Sequence, residues 1–473
     1  MVLRKIFRIK IVLPVLITLL TIWFWLILIL KIPIFTHLHG WFWGFRDKPA
    51  GSPLLLVLLF TISYVIIRII LSIDTRDSIK LFFLIILGFT LQLGFAFTEG
   101  RGMDGIKDRL INSGHAEFTI IALKQQNVLN LVSNYEKLSD SGELGKFSPS
   151  KPPGQLILYI FTSKLADILN PEDNFDDKLD WFRTFTAYFW TLISCLVLIP
   201  LFYFTKLLID SDRAILACIL YLFIPSVNLI TMHTDQVFFP CFFMTAAHLA
   251  LYSCTRRNIY LSFMTGVFVY LMLFCSFGLI FILPFIMVIC IFFSNYKTKF
   301  DLKSFKMVIP CIFSGMIITG FLFRIIFGYQ ILIRYQKAIA YHVRWKGWIS
   351  NFDNITHFAK LNMLEFIVWL GFPIAILTIY CIYRSFRQIF KRNMDACSII
   401  SLMLFLILMI LDFFGMTMGE VARIWLFLVP VICIVAGSCL ETRFRENREL
   451  LVPLIIILQA GSVYLIKVFQ DFH

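Results

Sequence analysis

The sequence predicts an all-α polytopic membrane protein with about 13 transmembrane helices and a large outer loop of interfacial helices. Three observations carry that prediction. Apolar and aromatic residues make up 59% of the 473, and only 15% are charged, where a soluble domain carries about 25% charge. Mean hydropathy is +0.83. Apolar segments recur at about 10–31, 53–73, 80–97, 184–206, 213–231, 237–254, 258–275, 277–295, 307–328, 362–383, 397–415, 421–440 and 450–469. Most approach the ~20 residues that cross ~30 Å of hydrocarbon. A soluble enzyme, a disordered chain and a nucleic-acid binder are excluded.

The first segment is longer than a signal-peptide core and lacks a small-residue cleavage site, so it is expected to remain as a helix. The short loops sort by charge. Arg4, Lys5, Arg8 and Lys10 precede the first span. Arg76 and Lys80, Lys206 and Arg213, Arg256 and Arg257, Lys297, Lys299, Lys303 and Lys306, then Arg384, Arg387, Lys391 and Arg392, and finally Arg443, Arg445 and Arg448 fall on the same face. That face is expected to be cytoplasmic, because Lys and Arg collect there. This bias also accounts for part of the net charge of +14.

The opposite face carries three long loops, at about 32–52, 99–183 and 329–361. No repeat or linker divides the chain. It reads as one multi-pass domain over 1–473, with 99–183 the first functional outer loop and 329–361 a second. The eleven cysteines lie in or beside apolar segments with no CxxC pair. They read as small apolar residues, not as a disulfide framework or a zinc site.

Charges within membrane helices are costly and usually functional. Asp235, Arg324, Glu365, Asp412, Glu420 and Arg423 all fall near the outer ends of their segments. A pump or channel would place such groups at mid-depth, often in a broken helix. Their position at the outer leaflet points to a site at the membrane–water boundary. The plainer reading is snorkelling or structural pairing, and it is strongest for Glu365.

Loop 99–183 holds the most distinctive polar sequence. It opens Thr98-Glu99-Gly100-Arg101-Gly102-Met103-Asp104-Gly105 and continues Ile111-Asn112-Ser113-Gly114-His115-Ala116-Glu117-Phe118. Ser113 and Gly114 are N-cap candidates for a short amphipathic helix with Phe118, Ile121 and Ala122 on its apolar side, expected to lie on the membrane. The loop closes on Ser148-Pro149-Ser150-Lys151-Pro152-Pro153-Gly154-Gln155, ahead of an apolar stretch from Leu156 to Leu169. Consecutive prolines stiffen an extended approach, so Lys151 would be held at a defined place.

With these segments in place the chain resembles the C-type superfamily of integral-membrane glycosyltransferases, and within it the protein O-mannosyltransferase and lipid A aminoarabinose transferase branch. His115-Ala116-Glu117 is similar to a segment in that family's first outer loop. Lys151-Pro152-Pro153 is similar to the motif that ends that loop. Thr234-Asp235-Gln236, followed by Ala247-His248-Leu249-Ala250-Leu251-Tyr252, resembles the end of its second outer loop. Gly419-Glu420-Val421-Ala422-Arg423-Ile424-Trp425 resembles a late stretch in bacterial members. The likeness covers about residues 80–260. The chain departs at Ile111-Asn112-Ser113, where the family usually carries an Asp, so the acid would come from Glu117, Asp104, Asp108 or Glu99.

The resemblance implies a sugar donor linked to polyprenyl or dolichyl phosphate, and a glycan, lipid or protein acceptor. An ionised phosphate leaving group needs positive charge rather than a general acid. Lys151, Arg423 and Arg344 are the candidates, with Glu420 beside Arg423. Arg344 sits in Tyr341-His342-Val343-Arg344-Trp345-Lys346, which also reads as a basic interfacial helix. A carboxylate must take the acceptor's proton, and one suffices for a single inverting displacement. Glu117 is the first choice, with Asp104 as another candidate, Asp235 for positioning and His115 to orient. No DxD pair joins Asp104 and Asp108, so no metal or other cofactor is expected. No glycine-rich phosphate loop appears, which argues against a nucleotide-sugar donor.

The expected function is glycosyl transfer at the periplasmic or lumenal face of a bacterial plasma membrane or endoplasmic reticulum. The alternative is a transporter or flippase of lipid-linked glycans, which would show repeated halves and broken helices. Neither is legible in the sequence.

Overall fold

Backbone amides in hydrocarbon must be satisfied within their own segment, so long runs of Leu, Ile and Phe fold as helices. The computed structural model describes residues 2–34, 44–47, 51–72, 75–112, 116–125, 127–229, 232–293, 302–391 and 394–471. It is almost entirely helical. Among the described residues the exception is the antiparallel pair Gly44–Phe45 and Gln470–Asp471. The protein is an integral, multi-pass membrane protein of all-α class. All eleven cysteines are free thiols, buried or half-buried.

All thirteen apolar segments form helix, but they differ in reach. Among the described residues nine helices are long and apolar enough to cross a membrane. Ile259–Cys275 and Phe277–Phe292 are apolar but shorter. The segment expected at 213–231 breaks after Ser211–Leu222 and resumes as Pro225–Leu229.

The segment expected as one span at 362–383 is a bent pair. Phe352–Leu370 and Phe372–Phe390 meet at 117°. The break sits at Gly371, whose φ of +80° suits only glycine, and Pro373 follows in the first turn of the second helix. A Cβ at Gly371 would also lie 1.8 Å from Gln459 Oε1. The Gln459 amide donates to the Leu370 carbonyl at 2.8 Å. The broken helix that the sequence did not reveal is therefore present.

The chain divides into two compact units. The first comprises Met1–Gly105, Leu198–Ile230 and Phe352–His473, and the second Ile106–Val197 and Thr231–Asn351. At the centre of the first lies Val429–Arg443, buried from Val429 to Glu441. A helix apolar all round belongs inside, and Ser211–Leu222, Phe372–Phe390 and Ala396–Phe414 pack around it. In the second, Ile259–Cys275 packs along Leu302–Phe327, and the short helices of loop 99–183 build on them.

Candidate functional site

In the second unit the Lys-Pro-Pro segment is extended, as its prolines require: Lys151 has φ −125° and ψ 156°, and Pro152 has φ −77° and ψ 159°. Pro153 then starts the helix Pro153–Leu169 from the position where its missing N–H costs nothing. Gly154 lets this turn press against the end of Ile259–Cys275, since a Cβ there would lie 2.4 Å from the Phe274 carbonyl oxygen. One residue on, the buried Gln155 amide donates to Thr234 Oγ1 at 2.7 Å. Thr234 opens the turn Thr234–Val237 that holds Asp235, which is 5% exposed. Two segments 79 positions apart, each singled out from sequence, are thus joined by a buried hydrogen bond.

Glu117 lies in the first turn of Ala116–Lys124. Its two carboxylate oxygens accept the backbone amides of Lys146 at 2.8 Å and Phe147 at 2.6 Å. It therefore clamps the stretch that leads into Lys151. The helix's apolar face does not wait for lipid: Phe118 and Ala122 are 1% and 0% exposed, covered by Pro153–Leu169. A run of ring contacts goes from Phe118 to Tyr159 at 5.6 Å, to Trp190 at 4.8 Å and to Phe238 at 5.6 Å. It connects the residue after Glu117 with the residue three after Asp235. His115, Ser113 and Gly114 lie outside the described residues.

No motif in the sequence marks Arg334. It lies on Ile331–Lys346, the helix of loop 329–361, with its side chain 2% exposed. Its guanidinium donates to the Pro149 carbonyl at 2.6 Å, reaches Glu136 at 3.3 Å and stands 5.6 Å over the Tyr135 ring. The Tyr135 hydroxyl is shared between the carbonyls of Ser148 and Lys151, at 3.1 and 3.2 Å. Burial pushes this phenol well above its usual range, so it stays a neutral donor. Farther along the same helix, the Tyr341 hydroxyl donates to the Lys146 carbonyl at 3.0 Å, and Trp345 meets Phe147 edge-on at 5.4 Å. The two long loops thus form one assembly around Lys151. Arg344 faces solvent on this helix, its Nε donating to Ala340 of its own turn.

Asp108 and Arg324 also lie in the second unit, and the other sequence candidates belong to the first. Asp104 is exposed on the first turn of Gly102–Asn112. Glu99 is buried and pairs with the fully buried Lys467 at 2.5 Å, with Arg46 at 3.7 Å. Glu420, at φ +62°, pairs with Arg423 one turn on. Glu365 is not a snorkelling end residue, because it is 4% exposed. One of its oxygens accepts the Ala422 amide at 3.3 Å, and the other is buried with no partner among the described residues. Asn362, one turn earlier, donates to Thr417 O at 2.9 Å and accepts Gly419 N–H at 3.1 Å. Together they stitch the 417–422 stretch to the helix before the bend. Among the described residues no three His, Cys, Asp or Glu side chains gather as metal ligands.

No protein-family model and no curated protein matches the chain. Solved structures do. The oligosaccharyltransferase AglB of Archaeoglobus fulgidus, in complex with an inhibitory peptide and a dolichol-phosphate, has a TM-score of 0.50 at 12% identity, over 83% of this chain and 56% of that one. The Archaeoglobus fulgidus oligosaccharyltransferase tethered to an acceptor peptide gives 0.50 at 11%, over 83% and 55%. The chain shares the membrane fold of these two structures. It spans little more than half the length of these structures. At such identity the likeness speaks for the fold, and the chemistry must come from the residues.

Proposed function

We propose that the protein transfers a sugar from a polyprenyl- or dolichyl-phosphate donor to an acceptor hydroxyl at the periplasmic or lumenal face, with inversion. The buried Gln155–Thr234 hydrogen bond carries this reading, because it ties the segment of Lys151 to that of Asp235. A transferase needs a cation for the phosphate and a carboxylate for the acceptor within a few ångströms of the reacting carbon. The acceptor oxygen bonds to the anomeric carbon as the bond from that carbon to the phosphate oxygen breaks. The electron pair leaves with the lipid phosphate, whose charge Lys151 holds, and the hydroxyl proton passes to a carboxylate.

Asp235 is the carboxylate we favour as base. Glu117, with both oxygens on backbone amides, is better placed to hold the 145–147 turn than to accept a proton. The O-mannosyltransferase and aminoarabinose transferase branch gives the sugar class to try first. The test is mass analysis of products after incubating purified protein in lipid with a panel of prenyl-phosphate sugars and candidate acceptors. Transfer that is lost in Asp235→Asn supports the reading; no product from any donor sinks it.

The bend at Gly371 favours a second reading, a transporter of lipid-linked glycans, because broken helices with buried polar groups are a transporter feature. Movement of labelled lipid-linked glycan across proteoliposomes, with no new glycosidic product, would select it.

A further inference from the structure

In the first unit, Pro53–Ser72 and the start of Arg448–Phe469 enclose a groove of about 910 Å³. Its two ends differ. Phe60, Tyr64, Ile67, Val452, Ile456 and Ile457 make apolar walls, while Arg68, Arg445, Arg448 and Glu449 gather at one mouth. From Phe60 to Ser72 the helix rises about 18 Å, at 1.5 Å per residue. That is close to half of a ~30 Å hydrocarbon core, so the groove is about one leaflet deep.

The charges at the mouth are not balanced. Arg448 lies 2.8 Å and Arg445 3.5 Å from the same carboxylate, Glu441. Arg68 has no ion pair among the described residues, although it sits four positions inside the end of an apolar span. Counting Glu441 and Glu449, three guanidiniums face two carboxylates, a surplus of one positive charge. An uncompensated arginine at the hydrocarbon edge is costly, and a phosphodiester carries the single negative charge and the paired oxygens that suit its fork.

We propose that this groove binds an anionic glycerophospholipid, its phosphodiester held by Arg68 and Arg445 and an acyl chain lying along Tyr64, Ile67, Val452 and Ile456. By the distribution of Lys and Arg this mouth faces the cytoplasmic leaflet, where anionic lipids are drawn to basic clusters. A polyprenyl chain is far longer than a one-leaflet groove can cover. The site stands whether or not the transferase reading holds.

The experiment is native mass spectrometry of the full chain, stripped of lipid in detergent. It is titrated with phosphatidylglycerol, with phosphatidylcholine of identical acyl chains, with soluble glycerophosphate and with polyprenyl phosphate. Phosphatidylglycerol should bind about 10-fold more tightly than phosphatidylcholine, and glycerophosphate alone should not bind. Arg68→Gln should cut phosphatidylglycerol affinity about 10-fold and phosphatidylcholine affinity far less, because choline already offsets the charge of its phosphodiester. Thr61→Trp, which fills the groove, should remove both. Arg68 is exposed, so the unfolding midpoint of Arg68→Gln without lipid should match the wild type. Equal affinity for the two phospholipids, an unchanged Arg68→Gln, or displacement of phosphatidylglycerol by polyprenyl phosphate would overturn the proposal.

Discussion

In the second unit, Glu117 and Arg334 direct their charges at backbone: one carboxylate takes two amides of the 145–147 turn, and one guanidinium takes the Pro149 carbonyl. In the first unit, Glu99 and Lys467 face one another in the interior with almost no exposure. The first arrangement fixes the course of a loop. The second mainly cancels the charges that it buries. A buried pair of that kind adds little net stability, yet losing one partner is expensive. Charges aimed at main chain decide instead where Lys151 stands.

The largest effect should come from breaking the pair. Lys467→Met removes the close partner of the buried Glu99 and should cost about 3–5 kcal/mol. Combining it with Glu99→Gln should recover most of that loss, read as the unfolding midpoint in detergent. If the double variant is as unstable as the single one, the pair is not a self-cancelling unit. Arg334→Ala should cost about 2–4 kcal/mol, and protease should then cut within 141–151 before the protein unfolds globally. Arg334→Lys should fall between, since it restores charge without the fork.

Lys151→Ala should sharpen the functional half of the contrast. A charge-assisted contact to phosphate contributes about 1.5–3 kcal/mol, so turnover should drop roughly 10–150-fold with folding intact. A folded variant at full activity would take Lys151 out of the site. Glu117→Gln should have the smallest effect, about 1 kcal/mol, because the amide oxygen keeps one of the two backbone contacts. Its turnover should follow its stability. A stable Glu117→Gln with activity down 100-fold or more would make Glu117 the base after all.

Hydropathy located the helices because a bilayer leaves the backbone no other way to satisfy its amides. It could not show the 117° bend, since both arms remain apolar; the available sign was Gly371-Phe372-Pro373, a turn signal rather than a hydropathy signal. The stiff approach to Lys151 was legible because proline fixes its own φ. Arg334 was not, because two of its three neighbours are a carbonyl group and an aromatic face, which any sequence supplies. For Glu365 the structural-pairing half of the plain reading holds and the snorkelling half does not; the partner was not legible because it is the main chain of Ala422, 57 positions away.

The same dependence on main chain sets an order of events during synthesis. Arg334 leaves the ribosome 185 residues after Pro149, which at 5–20 residues per second is a delay of roughly 10–40 s. Throughout that interval the stretch before Lys151 has Glu117 to hold it but lacks the guanidinium and the Tyr341 hydroxyl. The Lys-Pro-Pro loop must therefore wait unlocked while six further apolar segments are made, and any truncation upstream of residue 334 would produce a chain whose 99–183 loop is never closed.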